Sequence, residues 1–366
     1  MDRLRVAVIG HTGRGNYGHG LDTVWQQFPN LQLVGVADAD EKGRTAAAAR
    51  LKAPAAFADY HQLLDETKPH IVSIGPRWLD QHRDMVLACA ERGIHMYLEK
   101  PMCRTLAEAD EMVAAVEKHH VKLALAHQMR YSPKLQVVRE LIEDGAIGTV
   151  LELRGRGKED HRGGGEDLWV LGSHVFNLMH HLGGEPNWCF ATVQQAGHNV
   201  TKDDVKPGNE GIGALAGDQL AAMYGFDGGV TGYFASRKAA GIGDARFGLQ
   251  IYGSKGILEI MTGSLPAVWY LDDPNWSPGR GKTAWQPVSS EGIGKPEPLT
   301  DGGLGGGNVL AVRDLLQAIA EDRQPECSVY EGRVTIEMIA GVFESHRQQG
   351  PVKIPLENRR IPLEML

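Results

Sequence analysis

A glutamate, a lysine and a proline follow one another directly after a short apolar run, as Glu99, Lys100 and Pro101. Proline cannot donate to a strand ladder or sit inside a helix, so Pro101 marks a turn just past a strand end. In open α/β sheets, ligands bind at that end. A lysine ammonium held there can hydrogen-bond a reacting oxygen and stabilise the negative charge that develops on it. A surface turn with a weak ion pair is the alternative interpretation.

A glycine-rich turn, GHTGRG, follows the first apolar run. Gly10 and Gly15 match the first and third glycines of the dinucleotide-binding fingerprint G-x-G-x-x-G, whereas Thr12 stands in place of the middle glycine. Asp38 ends the second predicted strand, near the spacing of about 20 residues that the fingerprint requires. An acid there accepts hydrogen bonds from ribose hydroxyls and repels a 2′-phosphate, which favours NAD over NADP. A plain strand–helix turn is the alternative.

A third stretch, residues 158–184, concentrates charge and glycine before a predicted helix. It contains His174, and histidine suits proton transfer because its ordinary pKa lies near physiological pH. His180 and His181 follow on the same predicted helix, but their spacing from His174 does not match a zinc motif such as H-E-x-x-H. We therefore expect a proton-transfer or structural histidine here and no metal site.

Short apolar strands alternate with helical segments over roughly the first 125 residues. Predicted strands end at Gly10, Asp38, Gly75, Lys100 and His127, and predicted helices cover 41–51, 59–67, 79–92 and 105–119, with a further helix at 21–28. Strands that are apolar without alternation indicate a parallel sheet covered on both faces. The elements that carry Glu99, Lys100 and the glycine turn therefore belong to an α/β domain.

The second half of the chain has a different pattern. Its strand candidates, VLELRGRG, VTGYFASR, FGLQIYG and KGILEIM, are not separated by regular helices. The segment 272–306 is rich in Gly and Pro and predicts long loops, and helices are expected at 308–322 and 330–347. The pattern indicates an antiparallel-rich sheet packed against a few helices, in an α+β domain.

Composition limits the classes of function. The chain has 366 residues, 42% of them hydrophobic, and a net charge of -8, which argues against a nucleic-acid or membrane partner. Four cysteines without a CxxC pair indicate neither a disulfide framework nor a zinc site, and they suit a reducing compartment. No apolar run approaches the roughly 20 residues of a membrane span, and the first run is too short for a signal peptide. We expect a soluble cytoplasmic protein.

Taken together, these motifs resemble the glucose–fructose oxidoreductase, inositol dehydrogenase and rhizopine-catabolism (Gfo/Idh/MocA) family over nearly the whole chain. The similarity rests on the glycine-rich turn, the histidine of WLDQHRDMV, GIHMYLEKPMCRTLAEAD, RYSPKLQVVRELIEDGAIGTV and NVLAVRDLLQAIAEDRQP. It implies an α/β Rossmann domain plus an α+β domain with a large, mostly antiparallel open sheet. It also implies a homodimer or homotetramer that transfers a hydride between NAD(P) and a hydroxyl-bearing carbon of a sugar, cyclitol or related polyol.

The resemblance implies domains and site residues as well. An NAD(P)-binding domain is expected at 1–125 and an α+β substrate and oligomerisation domain at 126–366, with a C-terminal return to the first domain as an open alternative. Lys100 and His174 are the implied catalytic residues. Together with the fingerprint, the expected cofactor residues are Gly10, Thr12, Gly13, Arg14, Gly15, Asp38, Pro76, His82, Glu99, Lys100 and Gln128. The expected substrate residues are Arg130, Asp160, Asp167 and Asn177.

Two positions beside His174 depart from the family pattern. The family often has an aspartate four residues before this histidine and another three after it, where this chain has Val170 and Asn177. Val170 can neither orient His174 nor accept a proton. Candidate replacements from the preceding loop are Asp160, Glu166 and Asp167. Two other functions therefore stay open: a redox-neutral glycosidase or lyase that uses NAD transiently, and a ligand-binding protein without catalysis.

Overall fold

A computed structural model describes residues 3–243, 245–275 and 278–366. Its contacts divide the chain into two compact units. Unit 1 comprises Met1–Gln128, Glu210–Ile212 and Leu304–Arg333, and unit 2 comprises Met129–Asn209, Gly213–Gly303 and Val334–Leu366. The domain division expected at residue 125 stays a prediction, because contacts do not show which parts fold independently.

Unit 1 is built on a six-stranded parallel sheet. Its strands are β1 (Leu4–Ile9), β2 (Leu31–Ala37), β3 (Ala56–Phe57), β4 (Ile71–Ile74), β5 (His95–Leu98) and β6 (Leu123–Leu125). They lie in the order β3-β2-β1-β4-β5-β6, which reverses direction between β1 and β4, at the point where such sheets bind ligands. The α/β Rossmann prediction is thus confirmed. The two-residue strand β3 was not predicted, because it is too short to show a period.

Four helices connect these strands: α1 (Glu41–Leu51), α2 (Tyr60–Thr67), α3 (His82–Ala90) and α4 (Leu106–Lys118). Side-chain caps fix several starts; the Thr105 side chain, for example, accepts from the Glu108 backbone N–H at the start of α4. The helix predicted at 21–28 is wrong, because only a short 3-10 turn, Val24–Gln27, forms there. Gly18 and Gly20 precede that turn with φ of +67° and +86°, a left-handed conformation that cannot continue a helix.

Unit 2 is built on an eleven-stranded sheet. Its strands are β7 (Val150–Arg156), β8 (Pro186–Gln195), β9 (His198–Asn199), β12 (Gln219–Phe226), β13 (Thr231–Arg237), β14 (Gly248–Gly253), β15 (Ile257–Met261), β16 (Val268–Leu271), β17 (Gln286–Ser289), β18 (Gly292–Ile293) and β19 (Val352–Lys353); β10 (Lys206–Pro207) and β11 (Ala214–Leu215) pair separately. The order is β18-β17-β16-β15-β14-β7-β13-β12-β8-β19, with β9 beside β8. Neighbours are antiparallel except β7 and β13, which confirms the large, mostly antiparallel sheet.

The remaining helices are α5 (Pro133–Glu143), α6 (Gly165–Val170), α7 (Gly172–Gly183), α8 (Leu304–Glu321, in unit 1) and α9 (Val329–Gln348). Helix α7 packs closely on β7, because a Cβ on Gly155 would lie 2.5 Å from Val175. Contrary to the prediction of loops throughout 272–306, the segment contains β17, β18 and the start of α8. Within the described ranges, no helix combines the length and apolarity needed to cross a bilayer.

Candidate active site

The carboxylate of Glu99 lies fully buried at the carboxyl end of β5. Its Oε2 accepts from the backbone N–H of His19 and lies 3.0 Å from His19 Nδ1, while its Oε1 accepts from the Lys100 N–H at 3.0 Å. Burial by itself raises the pKa of Glu99, but the hydrogen bonds from His19 and the charges of His19 and Lys100 outweigh it. The net pKa is below the ordinary value, so Glu99 is a carboxylate at neutral pH.

The backbone that follows Lys100 is contacted by a buried histidine, His82. Lys100 is 6% exposed and is joined to Pro101 by a cis bond. The ring of His82 lies with Nδ1 3.1 Å from the carbonyl oxygens of Pro101 and Met102, and with Nε2 2.6 Å from that of Pro76. The sequence predicts His82 and Pro76 as cofactor contacts. Instead, both nitrogens of this fully buried ring face backbone carbonyls, so His82 ties the end of β4 to the turn after Lys100.

A second buried cluster brings Gln128 to helix α8. The amide of Gln128 donates to Asn308 Oδ1 at 2.9 Å, and the hydroxyl of Tyr97 donates to the same oxygen at 2.8 Å. Asn308 Nδ2 in turn donates to the carbonyl of His19 at 2.9 Å. Gln128 therefore lies in a network that includes the loop bound to Glu99, and its predicted contact with the cofactor stays a prediction.

The glycines of the GHTGRG turn are required by contacts within unit 1. A Cβ on Gly10 would overlap the ring of Tyr17, and one on Gly15 would overlap the backbone of Arg77. Gly15 and Gly13 also have φ of +86° and +85°, which favour glycine. Between this turn and β2, all of which the structure describes, only the 3-10 turn Val24–Gln27 forms, so the helix N-terminus that usually faces a pyrophosphate in this fold is absent there.

Thr12, in the place of the middle glycine, holds the acid at the end of β2. Its hydroxyl donates to Asp38 Oδ2 at 2.7 Å, and its N–H lies 3.1 Å from both carboxylate oxygens. The Asp40 N–H donates to Asp38 as well, at 3.0 Å. Asp38 is only 1% exposed. A carboxylate has about four acceptor positions, and these three donors make two contacts with each oxygen, because the Thr12 N–H is shared between both.

A cavity of about 230 Å³ opens beside these residues, at the carboxyl ends of β1 and β2. Its wall includes Gly10, Asp38, Ala58, Tyr60 and Met85. Small and apolar side chains suit the flat faces of an adenine, and the Asp38 carboxylate suits its ribose. The residues present therefore fit the adenosine half of NAD.

Arg14, the positively charged residue of the glycine-rich turn, already has partners within the protein. The guanidinium of Arg14 pairs with Asp80 and lies 4.3 Å from the ring centroid of Trp78. Stacking and pairing hold Arg14 in one position beside the turn. Its predicted contact with the cofactor stays a prediction.

In unit 2, helix α7 carries the predicted base. His174 is partly exposed in its first turn, and Val170, at the end of α6, is buried. One turn after His174, buried Asn177 donates from Nδ2 to Thr335 Oγ1 at 3.2 Å, and its carbonyl accepts from Arg130 at 3.3 Å. The structure thus brings Arg130 and Asn177 together, next to the turn that holds His174. Their substrate contacts stay predictions.

The sequence predicts a substrate contact for Asp167, and its position is inconsistent with one. Asp167 is fully buried and accepts from the Ser236 hydroxyl at 2.5 Å and from the N–H groups of Lys158 and Glu159 at 3.3 and 3.2 Å. Burial raises the pKa of Asp167, although these hydrogen bonds oppose the effect. Its carboxylate therefore organises the loop before α6.

The other two candidate acids of this loop are also paired. Asp160 accepts from Arg162 at 2.6 Å, and this bond lowers the pKa of Asp160 to about 2. Glu166 accepts from the side chain of Asn209 at 3.0 Å. Both keep some exposure, so a role for either as the replacement acid stays a prediction.

The further histidines of α7 do not form a ligand set. Burial, together with the charges of Arg130 and Arg139, lowers the pKa of His181 to about 2, so its ring is neutral. Across the part of the chain that the structure describes, no group of three or more His, Cys, Asp or Glu side chains could hold a metal ion.

Sequence reasoning missed two residues of this site, His19 and Asn308. His19 lies in an irregular turn, where no period reveals which side chain points inward. Asn308 carried a usable signal, because it lies four residues before Val312 and seven before Leu315, on the apolar face of α8. A polar residue on an apolar helix face is buried with partners, and those partners come from distant parts of the chain.

Comparison with known proteins gives the same architecture. The model of an oxidoreductase family with an NAD-binding Rossmann fold matches residues 4–127, and the model of that family's C-terminal α/β domain matches residues 139–354. The chain is 24% identical over 348 residues to levoglucosan dehydrogenase from Pseudarthrobacter phenanthrenivorans, covering 87% of this chain and 89% of that protein. It is 26% identical over 151 residues to myo-inositol 2-dehydrogenase from Thermotoga maritima, covering 41% and 44%. A solved structure of levoglucosan dehydrogenase with NADH and L-sorbose superposes with a TM-score of 0.76 at 22% identity, covering 97% of this chain and all of the other.

Proposed function

We propose, given that this chain belongs to the Gfo/Idh/MocA family of oxidoreductases and has its NAD-binding Rossmann fold, that it oxidises a hydroxyl-bearing carbon of a sugar, cyclitol or related polyol. The observation that carries the proposal is the pair Glu99 and Lys100, buried together at the carboxyl end of β5 in unit 1. The names of the similar dehydrogenases, for levoglucosan and myo-inositol, support this substrate class.

Lys100 performs the central step of this proposal. When bound, NAD accepts a hydride from the carbon that is oxidised. The Lys100 ammonium donates a hydrogen bond to the hydroxyl oxygen on that carbon and stabilises its alkoxide character, while the hydroxyl proton leaves to a general base, for which His174 is the candidate. The Glu99 carboxylate, ionised and bound to the Lys100 backbone N–H, holds the backbone of the lysine in place. Asp38 holds the adenosine ribose, and His82 fixes the backbone on either side of the lysine.

The predicted role of His174 as a general base is a separate proposal. Its partly exposed imidazole follows the buried Val170, so no carboxylate four residues earlier orients it. Comparing kcat of His174→Ala with that of the parent enzyme tests this role by itself, because the lysine remains intact.

Replacing Lys100 tests the main proposal. We expect Lys100→Met to lower kcat by about a hundredfold to a thousandfold, as loss of one transition-state donor does, while NAD still binds. NADH formation would be followed by absorbance with levoglucosan, myo-inositol and L-sorbose, and NAD binding by calorimetry. Lys118→Met, an exposed lysine on α4, is the matched control. Equal turnover in the Lys100 variant and the parent would contradict the proposed role.

Val170 keeps a second function open, in which NAD is used transiently by a glycosidase or lyase. The buried valine stands where the family often has an acid, so the proton-handling set has changed. The small molecule released on denaturation discriminates the two. Stoichiometric NAD or NADH together with glycosidic cleavage and no net NADH would support the redox-neutral enzyme. An empty protein that binds NAD reversibly would support the dehydrogenase, and NAD binding without turnover would support a non-catalytic protein.

The sheet of unit 2 supports a homo-oligomer. One row of residues runs across the strands from β8 to β16 on a single face: Phe190, Met223, Tyr233, Arg154, Gln250, Glu259 and Trp269. Phe190 is 40% exposed, and Tyr233 and Trp269 are each 38% exposed. Exposed aromatic residues are enriched at protein–protein interfaces, and a second copy would meet this face in a twofold dimer. A homotetramer would need a second interface as well.

Location and excluded partners complete the proposal. The four cysteines are free thiols buried in the protein, which supports a reducing compartment such as the cytoplasm. The net charge of -8 supports a small-molecule substrate rather than nucleic acid.

A further inference from the structure

The amide of Asn308 joins three separate parts of unit 1. Asn308 is fully buried in the first turns of α8, and its Oδ1 accepts from Tyr97 on β5 and from Gln128 after β6. Its Nδ2 donates to the carbonyl of His19, a residue 289 positions away in the chain. A buried amide with both ends bonded is held in one orientation, so it fixes the backbone of His19.

His19 in turn provides two hydrogen-bond donors to one oxygen of Glu99. Its backbone N–H and its Nδ1 both lie 3.0 Å from Glu99 Oε2. Gly18 brings the loop this close, because any Cβ there would overlap Glu99 and lie 2.6 Å from the carbonyl of Gly75. Since Glu99 is fully buried, these two donors and the Lys100 N–H replace the water that would otherwise solvate its charge.

We propose that Asn308 and His19 are positioning residues that hold Glu99 as an oriented carboxylate, so that helix α8 controls the geometry of the catalytic lysine. The inference rests on the proposed function for the role of Lys100. The role given to His19 is donation from Nδ1, with no part for its other ring nitrogen. Asn308 acts one step further away, by keeping the His19 backbone where both donors reach Glu99.

The donor role of His19 predicts that the protonation of Glu99, and with it the activity, depends on pH differently when the imidazole is removed. The charged and titratable groups facing Glu99 are His19 from the loop, Lys100 beside it in the chain and Tyr97 on the same strand. Hydrogen bonds and charge from His19 keep the pKa of Glu99 low against the effect of burial. Without the imidazole, fewer interactions oppose the effect of burial on the pKa of Glu99. That pKa therefore rises, and Glu99 takes up a proton at a higher pH than in the parent.

A pair of substitutions at His19 tests the proposal. His19→Ala removes the side-chain donor, whereas His19→Asn keeps an N–H donor close to the position of Nδ1. We expect His19→Ala to lower kcat/KM by about tenfold to a hundredfold at neutral pH and to move the acid limb of its pH profile to higher pH. We expect His19→Asn to recover most of the activity and the parent profile. Thermal unfolding followed by circular dichroism checks that both variants fold.

Two results would overturn the proposal. Unchanged kcat, KM and pH profile in a folded His19→Ala variant would show that the donor is not needed. An asparagine variant as defective as the alanine variant would show that the second ring nitrogen of His19 is required, so that His19 would be an acid or base instead.

Asn308→Ala and the double variant test the link to α8. If Asn308 acts through His19, the double variant His19→Ala/Asn308→Ala loses less kcat/KM than the product of the two single losses, because His19→Ala already removes one of the two donors that Asn308 positions. Multiplicative losses would mean that Asn308 acts independently, which contradicts the relay. This comparison needs only the two single variants and their combination, and it uses the full chain.

The failure of the proposed function is distinguishable from that of this inference. If the parent enzyme turns over no polyol, the proposed reaction fails, and calorimetric NAD binding replaces kcat/KM as the readout. Weaker NAD binding in His19→Ala with recovery in His19→Asn would then still support the positioning role. Equal NAD affinity in all three proteins would overturn it.

Discussion

At the scale of single residues, Asp38 shows how one carboxylate serves the fold and the site together. Thr12 donates to it from both its hydroxyl and its N–H, and Asp40 adds a third donor. This network offsets the cost of burying the charge of Asp38, which forms part of the wall of the cavity beside β2. A threonine in place of the middle glycine is therefore compatible with binding of the adenosine half of NAD.

Asp38→Asn tests whether this carboxylate selects the cofactor. The substitution keeps the size of the side chain and removes its charge, so the repulsion of a 2′-phosphate disappears. We expect the ratio of NADP to NAD affinity to rise by about tenfold or more, measured by calorimetry.

The neighbouring acid provides the control for this experiment. Asp40→Asn changes a carboxylate that caps α1 by accepting from the Gly43 N–H, outside the cavity lining. We expect its cofactor preference to match that of the parent. A ratio that stays constant in Asp38→Asn would show that the buried acid plays no part in selectivity.

At the scale of elements, the turn between β1 and β2 stands where a long helix follows the first strand in the usual dinucleotide fingerprint. Its backbone reaches Glu99 through His19 and is closed by contacts of Gly10 and Gly15 with Tyr17 and Arg77. The turn therefore connects the region of Asp38 to Glu99, and its shape depends on glycine at particular positions.

Two glycines of this turn form a matched pair for mutagenesis. Gly13 and Gly15 have nearly equal φ, but a Cβ on Gly13 meets open space and one on Gly15 overlaps the Arg77 backbone. We expect Gly13→Ala to cost about 1–2 kcal/mol of unfolding free energy from backbone strain alone. Gly15→Ala is expected to cost about 1–3 kcal/mol more and to weaken NAD binding. Urea denaturation and calorimetry measure both, and equal costs would refute the packing argument.

At the scale of the whole molecule, one face of the unit 2 sheet exposes aromatic side chains that contacts among the described residues of a single copy do not fully cover. The other face is covered, since Tyr224 donates to the Met338 carbonyl of α9, and Ser345 Oγ of α9 accepts from the Ala191 N–H of β8. Several exposed aromatic side chains in one row on a large sheet differ from the singly scattered exposed apolar residues that are normal on a monomer. We relate this face to self-association for that reason.

Phe190→Glu tests that relation. A charge in the row opposes burial against a second copy, so we expect a smaller assembly by size-exclusion chromatography with light scattering. Leu299→Glu is the control, since Leu299 is 42% exposed but lies outside the strands. If the parent is a monomer, or if both variants keep the parent's assembly, the proposed interface is incorrect.

Much of the architecture follows from the sequence by itself. The five longer strands of unit 1 and helices α1 to α4 are readable because apolar periodicity and caps act between residues only a few positions apart. The same local signals place Glu99 and Lys100 at the end of a strand and Asp38 at the end of another. The change to alternating strands after residue 149 likewise predicts the second sheet.

Only the tertiary structure decided which side chains meet. His19 contacts Glu99, and Asn308 contacts His19 from the other end of the chain. His82 and Asp167 contact backbone groups in the interior. The sequence does not distinguish a polar residue that faces a ligand from one that faces a buried carbonyl. The difference arises when distant segments fold together and every buried donor must find an acceptor, a condition that no short stretch of sequence contains.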